Sequence, residues 1–272
     1  MTKSSKSKVN NYWNNLINDP DIDGMSPMGG GGLIEIYYRQ YFEKNNFLKF
    51  FDIKTKPDIL EVGCGSGRWA LALHKYLGHY SGIDISEVSI RKARELCKSK
   101  NINNCDFYFT TITEFSSNRR FDIIYFGGVT QYMEDDEFAK TVSFLKKFLK
   151  SDGIFIDRST ISLETGREIN DKNNYFSIYR TENEITDIFK DIGFKKILSK
   201  NSYRFLRIGK LACYLNHPLL LNILKKTPFI TYNILYVITR LADVLKPKVF
   251  YENGIGYFTH KFQIFKQHGT II

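Results

Sequence analysis

Three glycines alternate through residues 63–67, Gly63, Gly65 and Gly67, and two carboxylates bracket them. Glu61 precedes the first glycine by two residues, and Asp84 follows the last by 17. Glycine lets the chain turn through positive φ and lets a ligand approach the backbone with no Cβ in the way. A carboxylate closing the next strand can hold a vicinal diol by paired hydrogen bonds. Together these residues predict a grip on a ribosylated cofactor. The spacing is G-x-G-x-G, not the G-x-G-x-x-G that cradles a dinucleotide pyrophosphate.

Such a grip needs a strand, a turn and a helix in that order. Ile59, Leu60 and Val62 form a short apolar run, the mark of a buried parallel strand. Trp69 to Leu73 then read as helix, and Tyr80-Ser81-Gly82-Ile83-Asp84 as the second strand. Ser86 can cap the helix that runs to about Lys100. Further strands are expected at 107–110, 121–126, 154–156 and 194–199, with helices at 33–51, 136–149 and 181–192. Thr181 and Glu184 predict a capping box and Gly193 a helix stop. In open α/β sheets ligands lie outside the carboxyl ends of the strands. Tyr125, Gly127, Gln131 and Tyr132, which end or follow the fourth strand, are therefore expected to line that crevice.

Four blocks carry a family likeness: ILEVGCGSG (59–67), GIDIS (82–86), FDIIYFGGVTQYM (121–133) and FLKSDGIFI (148–156). In that order they resemble the class I S-adenosylmethionine-dependent methyltransferases, over roughly residues 33 to 200. The resemblance implies an α/β fold: a doubly wound, seven-stranded, mostly parallel sheet with an antiparallel last strand. It implies S-adenosyl-L-methionine as cofactor and S-adenosyl-L-homocysteine as product. The expected cofactor set is Tyr38, Arg39, Glu61, Gly63, Cys64, Gly65, Gly67, Asp84, Ile85, Thr111, Ile112, Gly127 and Gln131. Tyr37, Tyr38 and Arg39 lie on the helix that in several relatives reaches the methionine carboxylate. Relatives usually carry an Asp after the third strand for the adenine amino group; here Thr110, Thr111 and Ile112 stand there. The D/N-P-P-Y motif of amide- and adenine-directed enzymes is missing after the fourth strand.

Methyl transfer from a sulfonium is an in-line displacement, so the protein mainly aligns the partners and dries the site. A hydroxyl acceptor must also lose a proton. Asp157, Tyr132 and His217 are the candidates for catalytic contact. His74 and His79 flank the first helix and His268 is near the tail, which leaves His217 and His260. Asp157 has a second reading, an ion pair with its neighbour Arg158. The acidic run Glu134 to Glu137 reads as the start of a helix, and no metal is expected.

The seventh strand is expected at 257–265, which leaves 205–252 as a long helical insertion beside the crevice. It holds two apolar segments, 219–226 and 230–238, each too short to span a membrane. From residue 201 on there are 10 Lys and Arg against 2 Asp and Glu, whereas residues 1–200 hold 29 against 27. The insertion is thus expected to be a packed cap, a homodimer contact, or an apolar and basic surface for a membrane or lipid-linked substrate. Residues 33–204 and 253–272 form the expected methyltransferase domain. Residues 1–32 are a flexible segment or a lid hinged at Gly29 to Gly32, with Tyr12, Trp13, Met25 and Met28 as its apolar face.

Four cysteines without a C-x-x-C pair, and no apolar stretch among the first ten residues, predict a reducing, cytoplasmic setting, peripheral to a membrane at most. The expected reaction is metal-independent O-methylation of a small molecule, sugar or glycan. The alternatives are an N-methyltransferase for an amine or protein N-terminus, whose cation the acids at 134–137 would recognise, and an inactive cofactor-binding scaffold. A nucleic-acid partner is not expected, because the basic excess is local.

Overall fold

In this computed structural model the described residues are 9, 11–13, 32–163, 166–172, 175–204, 217, 219, 221–222, 226–245 and 258–269. The elements are α1 (Gly32–Phe47), β1 (Asp58–Val62), α2 (Arg68–Leu73), β2 (His79–Asp84), α3 (Glu87–Ser99) and β3 (Cys105–Phe109). Next come β4 (Phe121–Phe126), α4 (Asp135–Leu145), β5 (Leu149–Ser162), β6 (Glu168–Lys172) and β7 (Tyr175–Tyr179). The chain continues with α5 (Glu182–Asp191), β8 (Phe194–Asn201), α6 (Pro228–Leu245) and β9 (Phe258–Gln267).

Seven strands form one sheet in the order β3-β2-β1-β4-β5-β9-β8. The pairs among β1 to β5 are parallel, and β9 runs antiparallel to both β5 and β8. This is the doubly wound sheet expected from the sequence. β1 is next to both β2 and β4, so the chain winds outward in opposite directions from it. That switch point opens a crevice at the carboxyl edge, where Val62 is level with Ile83 and Phe126, and Phe126 with Asp157.

The central strands are apolar on both faces because both are covered. Alternate residues point to opposite sides of a strand. Leu60, Val62, Ile124, Phe126, Phe155 and Phe265 therefore pack with Phe138 of α4 and Phe189 of α5. Ile59, Ile123, Tyr125, Ile156, Phe262 and Ile264 pack on the other face with Phe47 of α1, Trp69 of α2 and Ala93 of α3. The caps follow the sequence: Ser86 Oγ accepts from Ser89 N at 3.3 Å, and Thr181 and Glu184 close a capping box ahead of α5.

Two expectations change. Residues 164–178 are read from sequence as a polar loop, but their described part pairs as the antiparallel hairpin β6–β7, with Glu168 opposite Tyr179. The run Tyr175-Phe176-Ser177-Ile178-Tyr179 is rich in strand-forming types, and its last three residues are buried. Likewise β5 is far longer than the expected 154–156: it starts at Leu149, paired with Phe121, and continues beside β9 to Ser162. α4 accordingly ends at Leu145, followed by one 3-10 turn.

α6 comes between β8 and β9 in chain order and contains the apolar segment 230–238. Tyr232 and Leu235 of α6 pack with Ile34 and Tyr38 of α1 and with Tyr203. Met25, Met28 and Gly29 to Gly31 of the expected lid lie outside the described residues, and Gly32 opens α1.

Candidate active site

The glycine turn leaves β1 at Gly63 and reaches α2 at Arg68. Gly65 has φ +52°, and a Cβ built there would meet nothing within 4 Å. The backbone at this point faces open space. Asp84 holds the turn in place: one carboxylate oxygen accepts from Gly65 N at 2.9 Å, the other from Ser86 N at 2.8 Å. Burial pushes the Asp84 carboxyl up, against the pull of these amides. Beside it Ile85 is 50% exposed, and Phe109 at the end of β3 is 56% exposed. Two apolar side chains thus stand bare at the carboxyl ends of neighbouring strands.

Glu61 lies beneath the turn and is buried, with the Tyr80 hydroxyl donating to it. Burial, opposed by that hydrogen bond, pushes its carboxyl up to about 8. Gly127 has to be glycine here, because a Cβ would sit 2.4 Å from Glu61 Oε1. Cys64 is buried under Gly82, which places its thiol in the core. The Thr111 hydroxyl donates to Glu114 at 2.7 Å, and Ile112 packs on the core below.

A second cluster surrounds Glu43 of α1, whose side chain has no exposure. Arg158 of β5 donates to its Oε1 through Nε at 2.7 Å, and a terminal nitrogen lies 2.6 Å away. Arg68 at the start of α2 donates to Oε2 at 2.8 Å, and Arg39 Nε lies 3.8 Å from that oxygen. Burial raises the Glu43 carboxyl, yet Arg158, Arg68 and Arg39 outweigh it and hold it well below the usual range. Arg39, Arg68 and Arg158 thus converge on the Glu43 carboxylate. His260 of β9 is close by, its Nδ1 3.1 Å from Thr160 Oγ1 and its ring stacked on Tyr203. Burial and Arg158 depress it, so it is neutral at pH 7.

On the other side of β5 the groups are hydroxyls and rings. Asp157 has no exposure and accepts from Thr130 at 2.8 Å and Ser159 at 2.5 Å. Burial pushes it up to about 6, against those two hydroxyls. Its neighbour Arg158 points to the opposite face, so the two form no ion pair; alternation along a strand forbids it. The Tyr132 hydroxyl accepts from Gln131 Nε2 at 2.8 Å and lies 3.3 Å from the Tyr175 hydroxyl, itself 3.4 Å from that of Tyr179. Gln131 Oε1 is buried with no hydrogen-bond partner among the described residues. Trp13 meets the Tyr132 ring edge-on at 5.6 Å, and Tyr12 meets Tyr175 at 4.8 Å. Burial raises Tyr132 and Tyr175, so both keep their protons at neutral pH and each has a hydroxyl proton to donate. Arg180 ties this wall to the turn after β4: it donates to Thr130 O at 3.0 Å and Met133 O at 2.6 Å and pairs with Asp135 at 2.7 Å.

A family model described as a methyltransferase domain matches residues 53–210, more than half of the chain. The chain belongs to the S-adenosylmethionine-dependent methyltransferases. Among curated relatives, it is 31% identical over 120 residues to a malonyl-[acyl-carrier protein] O-methyltransferase of Acetivibrio thermocellus, covering 40% of this chain and 38% of that protein. It is 28% identical over 155 residues to phosphoethanolamine N-methyltransferase 1 of Zea mays, covering 55% of this chain and 30% of that one. The matches thus span well under half of these relatives' length. The fold is similar to that of magnesium protoporphyrin IX methyltransferase from Synechocystis, solved with bound S-adenosylmethionine: TM-score 0.58, 15% identity, 97% of each chain covered.

The methyltransferase fold brings Glu61, Gly63, Gly65, Gly67, Asp84, Ile85 and Gly127 to one edge, with Arg39 beside them in the Glu43 cluster. Other expected residues are placed elsewhere. Tyr38 is buried against Phe42 and Tyr232, toward α6. His217 is exposed, and its carbonyl accepts from Leu221 N. Sequence reasoning missed Glu43 and Arg68 and the hairpin tyrosines 175 and 179. The one available signal was charge on an otherwise apolar helix face at Arg39 and Glu43, four residues apart.

Proposed function

We propose that this methyltransferase methylates a hydroxyl of an uncharged small molecule, a sugar or glycan included, by direct displacement and without a metal. One observation carries the choice of a neutral acceptor: the two carboxylates bound to the 130–133 turn, Asp157 directly and Asp135 through Arg180, are already engaged. Asp135 pairs with Arg167 at 2.8 Å and with Arg180, and Asp157 is enclosed by hydroxyls. A protonated amine would need a free carboxylate. A hydroxyl needs neutral donors and acceptors, which Gln131, Tyr132, Tyr175 and Tyr179 offer.

S-adenosylmethionine, when bound, supplies a methyl group already activated on a sulfonium. The residues fit it: open space at Gly65, a carboxylate at Asp84, bare apolar surface at Ile85, and guanidinium groups at Arg39, Arg68 and Arg158. In our reading Asp84 holds the ribose diol, Ile85 with Thr111 and Ile112 borders the adenine, and Arg39 with its two neighbours counters the methionine carboxylate. The Gly63 to Gly67 turn carries the backbone contacts, over Glu61 and Cys64. Gly127 and Gln131 border the reacting methyl. Tyr132 orients the acceptor hydroxyl by hydrogen bond and, with Trp13, excludes water. Asp157 is a positioning residue, acting through Thr130 on the 127–132 turn. His217 receives no role. α6 serves as a cap on α1.

The test is methyl transfer from radiolabelled S-adenosylmethionine to a panel of neutral hydroxyl acceptors and, in parallel, to phosphoethanolamine and simple amines. Labelled hydroxyl products support this reading. Labelling of amines alone replaces it with the N-methyltransferase reading, which draws on the likeness to the Zea mays enzyme.

A further inference from the structure

α6 has two unlike faces. Tyr232 and Leu235 are buried against α1, and Thr239 is buried one turn further on. Ile230, Ile234, Val237 and Leu241 follow at i, i+4, i+7 and i+11 and are 61%, 55%, 54% and 59% exposed. Phe229 at the helix start is 71% exposed. A continuous stripe of large apolar side chains on a helix, open to water, marks an interaction surface.

Charge identifies what it meets. Lys226 and Arg240 are exposed on the described part of this segment, and Lys225, Lys246 and Lys248 flank the helix in sequence. From residue 201 onward, Asp243 and Glu252 are the only acidic residues. A second copy of the chain on this face would set basic surface against basic surface, which costs affinity. Anionic lipid headgroups complement that charge, while the acyl boundary accepts the apolar stripe. Among the described residues no helix is long and apolar enough to cross a membrane.

We propose that α6 lies flat on an anionic membrane surface, with Ile230, Ile234, Val237 and Leu241 inserted at the headgroup level. The opposite face of α6 covers α1, which carries Arg39 and Glu43 of the crevice. Docking would therefore hold the crevice close to the bilayer, where a lipid-borne acceptor could reach it. The docking itself is independent of the acceptor's identity.

Flotation of the full chain with phosphatidylcholine vesicles, with and without about a third phosphatidylglycerol, tests this. The parent should float with the anionic vesicles, and less so in high salt. The triple variant I234S/V237S/L241S should lose about tenfold in partitioning, and R240E should weaken binding to anionic vesicles only. Circular dichroism and S-adenosylhomocysteine titration keep folding separate from docking, because none of these residues belongs to the crevice. A parent that stays with the unbound fraction, or a folded triple variant that floats like the parent, overturns the proposal. So does a parent dimer that the triple variant converts to monomer, which would give the face to a second copy.

Discussion

The two sides of the crevice are built in different ways. The β1–β2 side is made by backbone: a glycine turn held by Asp84 through amides 19 and 2 residues away. The α1–β5 side is made by side chains from distant parts of the chain. Glu43 meets Arg158 across 115 residues and Ser202 across 159. Tyr132 meets Tyr175 across 43. A site built from backbone depends on conformation, and glycine supplies it. One built from buried side-chain charges depends on neutralisation, and removing a partner exposes the full desolvation cost. The glycine turn should therefore fail in binding when altered, and the Glu43 cluster in stability.

The largest effect should come from the side-chain region. Glu43→Ala removes the carboxylate shared by the buried Arg39 and Arg158 and the half-buried Arg68, and we expect a loss of about 3–5 kcal/mol in urea unfolding. A loss near zero would mean that water or another anion already neutralises the cluster.

Next is a pH effect on the backbone side. Folded, Glu61 keeps its proton up to about pH 8, against an ordinary value of 4.5. The folded chain then binds more protons than the unfolded one across that window, so this contribution is full below 4.5 and is lost as pH rises through 8. Glu61→Gln should flatten the decline on the order of a few kcal/mol over that range. An unchanged slope would mean that Glu61 is ionised in the fold.

Gly65→Ala sharpens the contrast. With open space at the Cβ and φ at +52°, its stability cost should be about 1 kcal/mol. Its affinity for S-adenosylhomocysteine should fall about tenfold or more, because the methyl group occupies the ligand's approach. The smallest effect belongs to Tyr132→Phe. It removes the proposed hydrogen bond to the acceptor, along with the hydroxyl's contacts to Gln131 and Tyr175, and should cost about 0.5–1.5 kcal/mol in kcat/KM for the acceptor, with S-adenosylhomocysteine affinity unchanged.

The same difference explains what the sequence reveals. Strand, glycine turn and Asp84 are legible because they are contiguous and each residue type has a local reason to be there. The antiparallel β9 is legible by its pattern. Glu43 and Arg68 are hidden because each looks like an ordinary helix charge until α1 is docked on the sheet. The pairing of Asp157 with Arg158 fails because neighbours on a strand face apart, which could be known only once β5 was seen to run on to Ser162. Tyr175 and Tyr179 sit in a polar stretch whose strand character was masked by its surroundings.

The most direct test of the cofactor site is calorimetric titration of S-adenosylhomocysteine into the parent and into Asp84→Ala. We expect binding with a Kd of about micromolar order in the parent and its collapse in a variant that circular dichroism shows to be folded. A folded parent without binding, or a variant that binds as the parent does, would contradict the assignment of the crevice at Gly65 and Asp84 as the cofactor site.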